Sequence, residues 1–430
     1  MNPPEFVAEI FQNEYMPDGA REVSAIVTVT STGSAPAQLR TAADNAAEII
    51  IIDCSGSMGA PGSKMVQARQ ATAVAIDALR DGVAFAVISG THVASPVYPL
   101  DGSLAVVDSR TREAAKNSLT RLKAHGGTAI GEWLKVARYV FETDGHALRH
   151  AILLTDGQNG QQPGELEAEI RRSEGIFSCD CRGVGTDWAV GELRKISTAL
   201  LGTVDIVPDA AGLAADFEAM MQASMGKEVA DVALRIWTPQ HATLRFVKQV
   251  APTVEDLTSR RAEVTPQVGD YPTGAWGAES RDYHVCVEVQ PGVVGQEMLA
   301  ARISLVVSSD AGPQTLGQGL VRAIWTDEEA LSTRINRHVA HYTGQAELAQ
   351  VIQDGLEARK VGDDATAAAK LGRAVALAHE SGNHDTADLL AKVVDVVDPV
   401  TGTVRLKARV VDADEMALDT RSTKTVRVKK

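Results

Sequence analysis

The residues best suited to chemistry are three oxygen carriers at alternate positions, Asp53-x-Ser55-x-Ser57, within residues 48–59, EIIIIDCSGSMG. Carboxylate and hydroxyl oxygens are hard donors, the kind that Mg²⁺, Mn²⁺ or Ca²⁺ prefer. They follow four isoleucines, Ile49 to Ile52, a β-branched run suited to a strand covered on both faces. The chain then turns through Gly56 and Gly59 toward a helix expected over residues 64–79. The donors should therefore collect at the carboxyl end of a buried strand, where open α/β sheets place their binding sites.

One loop does not fix the geometry of a metal ion, and two later stretches qualify by position. Residues 125–131, HGGTAIG, make a glycine-rich turn ahead of a helix and offer the Thr128 hydroxyl. Residues 151–157, AILLTDG, end a second apolar strand on Asp156. In a parallel sheet the three loops open on one edge and bring together two carboxylates and three hydroxyls.

The elements around these loops support that reading. From residue 42 to 225, strand-like runs (EIIIID, VAFAVISG, ASPVYPL, HAILLTDG, FSCDCRGVG, TVDIVPD) alternate with helix-like ones. Alternation at this spacing predicts an α/β, doubly wound, mainly parallel sheet flanked by helices. The proline-bounded ASPVYPL is expected at its edge. Residues 1–41 hold two extended segments, the second alternating through Val23, Ala25, Val27 and Val29, and then a linker, STGSAPAQLRTAADNA. Residues 226–325 read as short alternating strands, an antiparallel β-sandwich that the N-terminal strands are expected to complete, with the α/β domain as an insertion. Residues 326–398 read as a helical bundle, with Thr326 and Glu329 as a capping box and Gly344 as a terminator of the first helix. Residues 399–430 read as a strand, alternating through Val404, Leu406, Ala408 and Val410, followed by a mobile basic tail over residues 421–430.

Asp53-x-Ser55-x-Ser57, then Thr128 in GGT and Asp156 in TDG, resemble the metal-ion-dependent adhesion site of von Willebrand factor A domains, over residues 42–225. The resemblance implies the fold expected above. It also implies that Ser55, Ser57 and Thr128 ligate a divalent cation (Mg²⁺, or Mn²⁺ or Ca²⁺) through hydroxyls, with Asp53 and Asp156 as carboxylates close to it. A protein partner would supply the sixth ligand, a Glu or Asp side chain. The chemistry is coherent by itself: Mg²⁺ demands octahedral oxygen coordination, and a shell dominated by neutral hydroxyls leaves the ion electrophilic. Cys54 occupies a variable position of the motif and is expected to be a small buried apolar residue. The flanking strands resemble inter-α-trypsin inhibitor heavy chains, but bacterial cytoplasmic A-domain proteins are the closer comparison. Those imply work beside an ATPase, a Ser/Thr kinase or a phosphothreonine-reading domain.

The expected function is a metal-dependent protein-binding scaffold and not an enzyme. The alternatives are a metal-dependent phosphohydrolase and an accessory subunit of an ATPase chaperone or kinase signalling complex. Thr420, Thr423 and Thr425, set among Arg and Lys, are candidate phosphorylation sites. The remaining motifs are weak. Cys179-x-Cys181 has no second cysteine pair, and Gly183-Val-Gly185 does not complete GxGxxG. There is no GxxxxGK[ST] and no GxSxG elbow, and His92 and His125 are isolated. A balance of 42 basic against 56 acidic residues, −14 overall, argues against nucleic acid or an anionic membrane as partner. Four scattered cysteines and an N-terminus without a basic, apolar leader predict a cytoplasmic protein.

Overall fold

The computed structural model describes residues 6–32, 45–162, 164–307 and 312–428. The chain divides into two compact units, Arg40–Ala230 and a second composed of Met1–Leu39 with Asp231–Lys430. Most of the expected linker, and the last two lysines, lie outside the described residues.

The Arg40–Ala230 unit is built on one sheet whose strands run in the order Val204–Val207, Ser178–Val184, Leu148–Thr155, Ala46–Asp53, Ala84–Gly90, Ala94–Tyr98. The first five are parallel, and the edge strand Ala94–Tyr98 is antiparallel. All eight residues of Ala46–Asp53 are buried, as the isoleucine run requires for a central strand. After this strand the chain moves first to Ala84–Gly90 on one side and later to Leu148–Thr155 on the other. The order therefore reverses at the central strand, the point at which such sheets open a crevice. Ile52 registers with Leu154, so Asp53 and Thr155 end their strands side by side. Helix Ile130–Glu142 forms because Ile130, Trp133, Leu134, Ala137 and Phe141 repeat at helical spacing and are all buried.

In the second unit, strand Glu22–Ser31 lies between Phe6–Gln12 and Ser280–Glu288 in a five-stranded antiparallel sheet. A six-stranded sheet packs against it. Phe6 meets Trp276 edge-on at 5.6 Å, and Gly319 approaches Ile10 so closely that a Cβ there would lie 2.4 Å from its side chain. Helices Arg337–Lys360, Asp364–Ser381 and His384–Val393 follow, packed around Leu348, Ile352, Leu356, Leu371 and Leu390. Asn336, Asp363 and Asn383 cap their N-termini through side-chain oxygens. Among the described residues no helix is long and apolar enough to cross a membrane.

Three expectations for this unit are corrected. Gly344 does not end a helix, because Arg337–Lys360 runs through it and buries a face on both sides of it. Thr326 does not form the expected box; its hydroxyl accepts from Glu328 N ahead of a short helix, Glu329–Ser332. The C-terminal region is not a free tail. The late strand stops at Leu406, paired in a hairpin with Val394–Asp398, and a helix, Asp412–Arg421, packs Leu418 into the helical core. Beyond it the Thr425 hydroxyl donates to Val250 O at 2.7 Å, and Arg427 reaches buried Asp282 at 3.2 Å.

Candidate functional site

Three loops meet at the carboxyl edge of the parallel sheet. Backbone hydrogen bonds join them: Gly56 N donates to Gly126 O at 3.0 Å, His125 N to Cys54 O at 2.8 Å, and Gly160 N to Thr128 O at 2.7 Å. Gly126 is the residue that needs to be glycine. Its φ is +73°, and a Cβ there would lie 2.6 Å from the His92 ring. Behind the loops, buried Trp133 donates its indole N–H to Thr91 O at 2.6 Å.

Four of the five residues expected at the site form one hydrogen-bonded chain. Ser55 Oγ lies 2.9 Å from Ser57 Oγ, and Ser57 Oγ donates to Asp156 Oδ1 at 2.6 Å. Asp53 accepts from Ser55 N through Oδ1 at 2.7 Å and from Thr155 Oγ1 through Oδ2 at 2.6 Å. Thr128, the fifth, is placed by Gly157. A Cβ at that position would lie 3.3 Å from both Ser57 Oγ and Thr128 Oγ1, so these hydroxyls converge on the space glycine leaves open. Asp53 and Asp156 are both fully buried, while Ser57 is exposed, so the cluster is reached from its hydroxyl side. Burial pushes the Asp53 carboxyl above its ordinary range, against the pull of its Ser55 and Thr155 donors. Burial likewise pushes the neighbouring Cys54 thiol up to about 12, which leaves it an inert apolar filler.

Two members of the cluster were not singled out in the sequence. Thr155 supplies the hydroxyl that Asp53 Oδ2 accepts, and its signal is adjacency to Asp156 in the register opposite Asp53. Lys64 places its ammonium 2.7 Å from Asp156 Oδ2, from the second position of helix Ser63–Ala78. The candidate tail residues lie elsewhere, in the second unit. Thr420 is buried and donates to Met416 O at 2.9 Å within its helix, so its hydroxyl is not presented to a modifying enzyme. Thr423 and Thr425 are half-buried, with Thr423 O accepting from Val254 N.

The weaker motifs resolve as packing. Cys179 and Cys181 are buried in strand Ser178–Val184, and a Cβ at Gly183 would fall 1.8 Å from the Trp188 ring. Among the described residues, no group of three or more His, Cys, Asp or Glu side chains is placed to hold a metal ion. The donor set at the sheet edge is two carboxylates with three hydroxyls, and this fits a hard, oxygen-preferring divalent cation.

Residues 47–206 match the family model for the von Willebrand factor type A domain, and residues 376–422 match the one for the von Willebrand factor type A C-terminal domain. A solved structure, von Willebrand factor type A from Catenulispora acidiphila, is 54% identical, covers 99% of this chain and 98% of its own, and superposes with a TM-score of 0.94. The chain belongs to the von Willebrand factor type A family. The ArnB paralog VWA2 from Sulfolobus acidocaldarius shares the fold at 12% identity, with 97% of each chain covered and a TM-score of 0.60. An uncharacterized protein of Synechocystis sp. is 27% identical over 215 residues, 49% of this chain and 49% of its own, so the match spans about half the length of that curated relative. In this von Willebrand factor A unit, the converging loops follow strands Ala46–Asp53 and Leu148–Thr155 and precede helix Ile130–Glu142.

Proposed function

We propose that the chain is a metal-dependent protein-binding scaffold. Asp53, Ser55, Ser57, Thr128 and Asp156 would hold a divalent cation, Mg²⁺ by preference, at the carboxyl edge of the sheet. The observation that carries this reading is the convergence of Ser57 and Thr128 hydroxyls over Gly157, beside two buried carboxylates in one hydrogen-bonded chain. A cation bound there supplies a Lewis-acidic point for the carboxylate of a partner's Glu or Asp. Ser57, exposed at the rim, faces the incoming partner, while buried Asp53 keeps Ser55 oriented through its backbone N–H.

The donor set favours holding over hydrolysis. Phosphoryl-transfer metal sites commonly gather several carboxylates around paired ions, whereas here hydroxyls outnumber carboxylates. In a bacterial cytoplasm, the setting that the resemblance to bacterial A-domain proteins implies, Mg²⁺ would be the natural occupant. Calorimetric titration with Mg²⁺ and Mn²⁺ tests the site. Wild type should bind one ion, and Asp53→Ala should lose at least tenfold in affinity. Equal binding by the two proteins would sink the reading.

A further inference from the structure

The two carboxylates of the cluster are held differently. Asp53 accepts from neutral donors, Ser55 N, Thr155 Oγ1 and, at 3.4 Å, Asp156 N. Asp156 accepts a hydroxyl on Oδ1 and a full positive charge on Oδ2, where Lys64 Nζ sits at 2.7 Å. This pair is sheltered, with side chains 13% exposed for Lys64 and fully buried for Asp156. The same ammonium has a second carboxylate within reach. Asp187 Oδ2 lies 3.8 Å away, on a side chain that is 74% exposed, in the loop after strand Ser178–Val184. One flexible cation thus stands between a buried acceptor inside the candidate metal site and an exposed acceptor outside it.

Charge makes that position consequential. An ammonium beside Asp156 neutralises a buried carboxylate that would otherwise carry a large desolvation penalty. A divalent cation at the same carboxylate would face Lys64 at a separation of a few ångströms, where like charges repel strongly in a sheltered site. We propose that Lys64 is a resident counter-cation of the site: it holds Asp156 when no metal is bound and passes to Asp187 as metal enters. This inference rests on the proposed metal site and deepens it. Lys64 then has two opposed effects, stabilising the metal-free loops and weakening the affinity for metal. It also couples occupancy of the site to the loop over residues 185–189.

The test is Mn²⁺ calorimetry together with thermal unfolding in EDTA, on the full chain, for wild type, Lys64→Met, Lys64→Arg and Asp187→Asn. Lys64→Met should bind Mn²⁺ about tenfold more tightly and yet unfold at a lower temperature without metal. Lys64→Arg, which keeps the charge, should stay within about threefold of wild type in affinity. Asp187→Asn should weaken Mn²⁺ binding severalfold while leaving unfolding in EDTA unchanged. A purely structural ion pair moves stability and affinity in the same direction, so Lys64→Met that binds no more tightly than wild type overturns the proposal while leaving the metal site standing. Failure of every protein, wild type included, to bind Mn²⁺ overturns the metal site and this proposal with it. Binding by Lys64→Met alone supports the proposal in its strongest form.

Discussion

At the scale of single residues, the parallel sheet carries a second polar cluster toward the opposite ends of its strands. His150 Nδ1 lies 2.6 Å from Glu48 Oε1, its Nε2 lies 3.1 Å from Asp180 Oδ2, and Ser224 Oγ donates to Glu48 Oε2 at 2.9 Å. Burial alone would lower the imidazole pKa, but the Glu48 and Asp180 carboxylates outweigh it and raise it to about 10. The folded value thus stands above the ordinary 6.5, so the charged imidazolium contributes stability in full below about pH 6.5. That contribution drains away as pH rises through about 10. The melting temperature should fall over this window, and Glu48→Gln, which removes the largest attractive charge, should flatten the fall. Thermal unfolding at pH 6.5 and pH 10 checks this, and identical slopes would contradict it. Asp53, Ser55, Ser57, Thr128 and Asp156 were legible in the sequence because each stands at a strand end or in a glycine-rich turn. Lys64 and Thr155 were not, since a lysine in a first helical turn and a threonine ending a strand look ordinary until the fold sets them against Asp156 and Asp53.

At the scale of elements, the strands of the parallel sheet were readable because their apolar runs are long and bounded by turns. The helices of the second unit were harder. Gly344 looks like a terminator in isolation, but Tyr342, Gln345, Leu348 and Ala349 around it are buried, and the burial outweighs the local preference of one glycine. A Cβ at Gly344 would meet nothing within 4 Å. Gly344→Ala should therefore stabilise the unit by about 1 kcal/mol, roughly 2–4 °C in melting temperature. A lower melting temperature would show that the helix is interrupted there. Helix Asp412–Arg421 is not legible in the sequence because its first turn holds Asp412, Asp414 and Glu415 and it has little apolar periodicity. Those acids suit a helix N-terminus, and the basic residues just after it give the segment the composition of a solvated tail. With Thr420 inside that helix and Arg427 paired with Asp282, the described part of the basic region, up to residue 428, is packed against the unit.

At the scale of the whole molecule, the chain forms one unit from two separated segments, with strand Glu22–Ser31 paired along its length to Ser280–Glu288. The period-2 alternation of Val23, Ala25, Val27 and Val29 made the strand legible; its partner, some 250 residues away, is chosen by the sheet and leaves no local mark. The Catenulispora acidiphila relative shares this architecture over nearly its full length, so both units recur together in that relative. In the proposed function, a bound cation joins the chain to the carboxylate of another protein. The most direct measurement is capture of partners from a native cell extract on the immobilised full chain, in Mg²⁺ and in EDTA, with Asp53→Ala alongside. The account predicts a partner retained by wild type in Mg²⁺ and lost both in EDTA and on Asp53→Ala. A partner held equally well in all three conditions would contradict it.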